Sequence, residues 1–357
     1  MKKLAIVTVT ALMFLGQSCN TGNKNKESNK KENDELSAIF TKGSERSNTE
    51  SEFQTSIENG GANEDDAINA GSYQDRFGLG TYNTKQVVEE LLYIERNTEP
   101  IDEAHKKRIL VTGSTGGLGQ LAAMYLIERG HEVVVHARNE SRAKDVRRDF
   151  PDAFGVVIGD YSDLEQTRQM AGQINEFGTF DVIIHNVGVY GASAEVMLDV
   201  NSLSPYILTS LVNKPQHLIY ITSDLHRSGS LKFDEIISDT PNINYGDTKL
   251  QMITLAMTIS RYWPDIQVNA IRPGWVPTLM GFHNGNTTTP DSLRKGYMTY
   301  IWLAEGLEEG TEVTGGYFFQ SKVENSFNSI IHDETMQDQL MQSYETKTGI
   351  SFPRNQE

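Results

Sequence analysis

A tyrosine and a lysine stand four residues apart in the stretch Tyr245-Gly-Asp-Thr-Lys249. At that spacing on a helix the two side chains share one face. An ammonium beside a phenol favours the phenolate, so the spacing predicts a Tyr245 pKa lowered towards neutrality and a general acid/base. Ser223, upstream, adds a hydroxyl at the end of a candidate strand. Tyr-x-x-x-Lys alone is common in helices; its weight here comes from a glycine-rich turn about 130 residues earlier.

That turn is Ile109-Leu-Val-Thr-Gly-Ser-Thr-Gly-Gly-Leu-Gly119, a strand running into a turn and then a helix. Gly113, Gly117 and Gly119 let the backbone bend sharply and approach a pyrophosphate. The helix start behind them offers unpaired N–H groups and a positive dipole end. Gly113, Ser114, Gly117, Leu118 and Gly119 are therefore candidate cofactor-binding residues; the bland alternative is a plain tight turn. The second strand ends Val135-His136-Ala137-Arg138. A carboxylate there would hold both ribose hydroxyls of NAD, but position 137 is alanine. The Arg138 guanidinium suits a 2′-phosphate, so NADP is expected over NAD. Asp160 follows the third strand, where it could accept from an adenine amine or cap a helix beginning near Ser162.

Positioning these residues requires a regular scaffold. Candidate strands are 109–112, 132–136, 155–158, 181–185, 217–222, 267–271 and 316–319. Apolar-periodic helices lie between most of them, among them 117–129 and 245–262, with one more at 334–348. Alternating strands and helices predict an α/β fold with a parallel sheet of about seven strands and helices on both faces. Residues 84–96 read as a helix packed on the surface of this domain, with no chemistry assigned to it.

The chain has 357 residues, 38% of them hydrophobic, and a net charge of −16. That charge argues against a nucleic-acid partner, which needs a basic face. A single cysteine, Cys19, rules out intramolecular disulfides and a cysteine-rich metal site; no metal is expected. Lys2 and Lys3, the apolar run 4–15 and the small residues before Cys19 have the form of a signal peptide (residues 1–18). Residues 19–80 are rich in Asn, Lys, Glu, Ser and Gly. They read as a disordered tether spanning roughly 45 Å.

Together the motifs resemble the short-chain dehydrogenase/reductase family from about Lys107 to Pro353. The pieces are Thr112-Gly-x-x-x-Gly-x-Gly119, Asp160, His185-Asn-Val-Gly188, Asn201, Ser223, Tyr245-x-x-x-Lys249, and Pro273-Gly274 with Thr278. The gap from Ser223 to Tyr245, the Ser-Asp-Leu-His226 run and Thr314-Gly-Gly-Tyr-Phe-Phe319 look like its retinol-dehydrogenase-like branch. The resemblance implies a Rossmann-type doubly wound domain over residues 107–330, after a helical lead-in (81–106) and before a C-terminal helical extension (331–357). It implies that Tyr245 exchanges a proton with the substrate oxygen and that Ser223 hydrogen-bonds that oxygen. Lys249 would hold the nicotinamide ribose, and Asn201 a water relaying protons to Lys249. Asn186 and Gly188 would line the cofactor cleft, Pro273 and Gly274 would flank it, and Thr278 would touch the carboxamide. His185 departs from the family pattern and reads as structural. The stretch from Gly188 to Asn201, which in many relatives packs against a second subunit, is short here, and a homo-oligomer is left open. The signal resembles that of a bacterial lipoprotein, which implies lipidation at Cys19 and an exported, membrane-anchored protein.

Leu225, Leu231 and Phe233, with Trp275, Met280 and Phe282 after Pro273, suggest an apolar substrate pocket. The leading expectation is an NADP(H)-dependent oxidoreductase acting on a medium-sized apolar carbonyl or alcohol. The alternative is a catalytically idle scaffold of the same fold, used as a nucleotide-responsive binding module.

Overall fold

The computed structural model describes residues 76–354. The residues read as a signal peptide, Cys19, and the stretch read as a tether up to residue 75 lie outside the described residues. No helix among the described residues is long and apolar enough to cross a membrane.

Eight strands form one sheet: β1 (Arg108–Val111), β2 (Glu132–Ala137), β3 (Gly155–Ile158), β4 (Val182–His185), β5 (His217–Ile221), β6 (Gln267–Ile271), β7 (Tyr317–Phe319) and β8 (Lys322–Val323). Their order is β3-β2-β1-β4-β5-β6-β7-β8. All neighbours are parallel except the last pair, which is antiparallel. β8 is the strand beyond the seven expected; two residues are too few to show any alternation.

The helices are α1 (Lys85–Asn97), α2 (Gly117–Glu128), α3 (Glu140–Asp149), α4 (Leu164–Glu176), α5 (Ala194–Leu198), α6 (Ser204–Leu211), α7 (Phe233–Ile237), α8 (Tyr245–Tyr262), α9 (Leu293–Glu305) and α10 (Glu334–Thr348). Side chains alternate across each strand, and the strands sort their residues accordingly. Leu110, Ile183, Leu218 and Tyr220 enter one apolar cluster with α4, α6, α8 and α10. Ile109, Val111, Ile184 and Ile219 enter the other with α1, α2, α3 and α9. The sheet is thus buried on both faces. Each fully buried Leu or Ile stabilises by about 1.5–3 kcal/mol. The strand order reverses direction between β1 and β4, where a crevice opens at the strands' carboxyl ends.

The helix carrying Tyr245 starts where it does because of a reciprocal cap. Asn244 Oδ1 accepts from Asp247 N (3.0 Å), and Asp247 Oδ2 accepts from Asn244 N (3.0 Å). This satisfies two orphan donors and fixes Tyr245 as the first helical residue. α8 is buried on all sides from Gly246 to Ile259, its polar residues included. Its interior threonines remain satisfied by bonding back one turn: Thr254 to Leu250 O and Thr258 to Thr254 O. Residues 76–80, read from sequence as tether, pack on the body: Phe77 is buried and Arg76 pairs with Glu95 at 2.6 Å.

Candidate active site

The chemistry-bearing residues meet at the carboxyl ends of β1, β4, β5 and β6. Ser223 follows β5 and caps a short 3₁₀ turn, its hydroxyl accepting from Leu225 N (3.3 Å). The hydroxyl lies close enough to the Tyr245 phenol to favour its ionised form. Beneath it, His226 Nδ1 contacts Ser223 O at 2.6 Å; because a carbonyl only accepts, that nitrogen carries the proton. Lys249 is buried, with Nζ donating to Ile221 O (2.9 Å) and lying 5.4 Å from the centre of the Tyr245 ring.

Burial drives the Tyr245 pKa up to about 12, against the pull of the Ser223 hydroxyl and with a small push from Tyr190. Burial also drives Lys249 down to about 8. The lowered tyrosine pKa expected from the Tyr–Lys spacing is therefore not what the structure shows. The ammonium is directed at a backbone carbonyl, and desolvation of the phenolate outweighs a cation that is itself desolvated.

Asn201 sits in a π-helical turn, Asp199–Leu203, that joins α5 to α6. Its Oδ1 accepts from Val189 N (2.8 Å), and its Nδ2 donates to Val189 O (3.0 Å) and Thr248 Oγ1 (3.1 Å). Both amide hydrogens are engaged, so the side chain is a strut tying the loop after β4 to α8. At Gly188 an added Cβ would lie 3.3 Å from Lys249 Nζ and 3.5 Å from Asn201 Oδ1. A side chain there would press on the Lys249 ammonium, which would have to give by a few tenths of an ångström.

At the other rim, Gly113 and Gly117 take positive φ (71° and 58°). A Cβ at Gly119 would fall 2.3 Å from Asn186 Nδ2 and 2.4 Å from Gly113 O. The cradle thus exists only because these positions lack side chains. Asn186 spans it, Nδ2 donating to Thr112 O (2.9 Å). His136 clamps it: Gly113 N–H donates to Nδ1 (2.9 Å), while Nε2 meets Gly159 O at 2.8 Å. Burial lowers the His136 pKa to about 4, so the ring is neutral and both bonds hold at neutral pH. Leu118 and Gly119 supply the next N–H groups of the α2 start, where a pyrophosphate fits.

The Ser114 hydroxyl is buried, donating to Val111 O and accepting from His136 N, so it braces the turn from within. Asp160 Oδ1 accepts from Ser162 N (2.9 Å) and Ser162 Oγ (2.7 Å), and Oδ2 from Arg138 Nε (2.8 Å). Burial alone would raise this carboxyl; those hydrogen bonds outweigh it and hold the pKa below its usual value. Asp160 closes a turn, whereas the helix begins at Leu164 with Asp163 as its cap. Arg138 is exposed on the rim, its Nε on Asp160.

After β6, Gly274 has φ 92° and faces the Asp291 carboxylate, which accepts from Trp275 N (2.7 Å). Pro273 precedes it, its carbonyl 3.0 Å from a Cβ built on Gly296. Thr278 lies against the glycine turn, its Cγ2 3.5 Å from a Cβ built on Gly117. Two residues that the sequence does not single out add an aromatic layer beside Tyr245. Tyr190 packs edge-on against Tyr245 (5.0 Å, 85°) and against His283 (5.0 Å, 89°). No sequence signal singles them out, because they arrive from two separate loops. Of the expected apolar lining, Leu225, Trp275 and Met280 are exposed, whereas Leu231 is buried in the core and Phe233 packs against it. His185 is structural as expected, stacked on Tyr220 (4.7 Å).

This geometry agrees with comparison to known proteins. Residues 107–216 match the family model for short chain dehydrogenases. The chain is 37% identical over 262 residues to the short-chain dehydrogenase chry4 of Gibberella zeae, covering 69% of this chain and 98% of that one. It is 27% identical over 253 residues to human retinol dehydrogenase 13, covering 59% and 76% of the two chains. In fold it resembles a short chain dehydrogenase of Escherichia coli CFT073 solved with NADPH, at a TM-score of 0.50 and 22% identity over 60% of this chain and 97% of that one. The chain belongs to the short-chain dehydrogenase/reductase family of oxidoreductases.

Proposed function

We propose that this protein is an NADP(H)-dependent oxidoreductase that interconverts a carbonyl and an alcohol. The observation carrying this is the gathering of Ser223, Tyr245 and the buried Lys249, its Nζ 5.4 Å from the Tyr245 ring, at the same strand ends as the glycine cradle. In reduction the protonated Tyr245 donates its proton to the carbonyl oxygen; in oxidation the direction reverses. Ser223 donates to the same oxygen and stabilises its developing charge. Lys249 holds a proton at Nζ and orients the ribose, while Asn201 keeps the loop after β4 at a fixed distance from Tyr245. When bound, the dinucleotide supplies or accepts the hydride. The N–H groups of Leu118 and Gly119 hold its pyrophosphate, Gly113 and Gly117 let the backbone approach it, and Arg138 favours a 2′-phosphate. The exposed Leu225, Trp275 and Met280, with Tyr190, favour a medium-sized apolar substrate.

The test is cofactor oxidation and reduction by the purified protein across a panel of ketones, aldehydes and alcohols of graded size. Dinucleotide-dependent turnover supports the reading. Tight binding without turnover of any member would favour the idle scaffold instead.

We further propose that the protein is exported and lipid-anchored at Cys19. The support is the basic pair, apolar run and small residues before that cysteine. Fractionation with acyl labelling of wild type and Cys19→Ser tests it, and soluble protein retaining Met1 would refute it.

A further inference from the structure

Residues 78–84 form a tight loop ahead of α1, with Gly78 and Gly80 at positive φ and Gly80 N donating to Asn83 O (2.8 Å). The loop turns the Asn83 side chain inward, where it is fully buried. Its Oδ1 accepts from Gly117 N (2.8 Å), and its Nδ2 donates to Phe77 O (2.8 Å) and Gln120 Oε1 (2.6 Å). One N–H of the glycine turn is thus held by a residue 34 positions away. The neighbouring Thr84 hydroxyl donates to Pro277 O (2.7 Å) while capping α1 through Val87 N (3.3 Å). Pro277 precedes Thr278, whose methyl is the nearest neighbour of Gly117 across the crevice. Two consecutive residues therefore tie the glycine turn to the segment after β6 that faces it.

The surroundings reinforce the tie. A Cβ at Gly116 would meet Tyr82 O at 3.0 Å, so two backbones run in contact. The Tyr82 ring lies 3.3 Å from the Arg142 guanidinium carbon, and Arg142 donates to Thr115 O. Residues 115, 116 and 117 are each contacted by the lead-in segment, directly or through Arg142.

We propose that Asn83 and Thr84 act as a clasp that sets the width of the dinucleotide cleft, so that cofactor affinity depends on two residues outside the strand–turn–helix that holds the phosphates. The physical reason is preorganisation. A glycine-rich turn has more backbone freedom than any other, and ordering it on binding subtracts from affinity. The clasp orders it beforehand. This rests on the dinucleotide reading above.

The experiment uses the full chain. NADPH dissociation constants are measured by fluorescence titration, and release rates by stopped flow, for wild type, Thr84→Val and Asn83→Ala. Thr84→Val keeps the shape and removes the hydroxyl's hydrogen bonds, so a loss of roughly 3- to 10-fold is expected. Asn83→Ala removes three bonds and should weaken binding by more than about tenfold. Its KM for NADPH should rise by a larger factor than its kcat falls, and the Gly117 amide should lose hydrogen-exchange protection. If Asn83→Ala does not fold, Thr84→Val carries the test alone. Wild-type binding with both variants within twofold of it overturns the clasp and leaves the dinucleotide reading standing. A wild type that binds neither NADPH nor NADH overturns both.

Discussion

The two rims of the cleft are built from different materials. The glycine rim is made of backbone, held by neutral groups: Asn83, Asn186 and a histidine that burial keeps uncharged. The catalytic rim is made of side chains whose ionisation burial has displaced, Tyr245 upward and Lys249 downward. On the proposed function, one rim recognises by shape and tolerates changes of pH, while the other exchanges protons and depends on them. Substitutions on each side should therefore fail in different ways.

The largest effect is expected at the catalytic rim. Tyr245→Phe removes the acid/base and should lower kcat by about 10²–10⁴-fold while leaving the NADPH dissociation constant near wild type. Near-normal turnover by this variant would break the division of labour. Next comes Arg138→Ala, which should weaken NADPH binding about 10- to 100-fold with little change for NADH. Equal losses for both cofactors would mean that the guanidinium braces Asp160 instead of reading a 2′-phosphate. Gly119→Ala forces a methyl against Gly113 O and Asn186. The backbone atom cannot step aside as a flexible side chain would, so a cost of about 1–3 kcal/mol is expected, read as a lower Tm with weaker cofactor binding. An unchanged Tm would show that the turn is softer than its contacts suggest.

The smallest effect sharpens the comparison through pH. Below about 8 Lys249 is protonated, and above it the ammonium is lost while Tyr245 keeps its proton to about 12. Reduction kcat/KM should be flat below that point and fall as pH rises through about 8, by up to roughly tenfold per unit. Lys249→Met should lack this limb. The linkage has a definite sign. Between about 8 and 10.5 the unfolded chain binds the lysine proton that the fold has released, so this group makes stability rise with pH across that window. A titration of Lys249 near 10.5 would remove the argument.

Much of the scaffold was legible because period and punctuation are local signals. β3 and β6, α8 and α10 fall where alternation and helical spacing place them, and the glycine turn announces itself by residue type. The site was legible as a set of residues but not as a set of interactions. Nothing near Asn83 in sequence indicates that it reaches Gly117, because the contact is made by the fold. The Tyr245 pKa was misjudged for the same reason: spacing shows that a lysine is near, not that Ile221 O holds its ammonium and that both groups are desolvated. Tyr190 and His283 meet only because two loops converge. Ser114 is a candidate by position, and the turn directs its hydroxyl to Val111 O and His136 N.

The π-helical turn at Asp199–Leu203 has a consequence for the phase of the helix it interrupts. There Ser204 N–H reaches back five residues to Asp199 O, so the segment carries one residue more than an α-helix would. Each residue advances a helix by about 100°. Met197 and Leu198 before the turn and Tyr206, Ile207 and Leu208 after it are all buried. Deleting one residue between 199 and 203 would restore the ordinary repeat and rotate one half against the other by about that angle. Either Asn201 would swing away from Val189 and Thr248, or Tyr206 and Ile207 would leave the core. The surplus residue lets one continuous helix face two directions: towards the catalytic loop at its front and towards the sheet at its back.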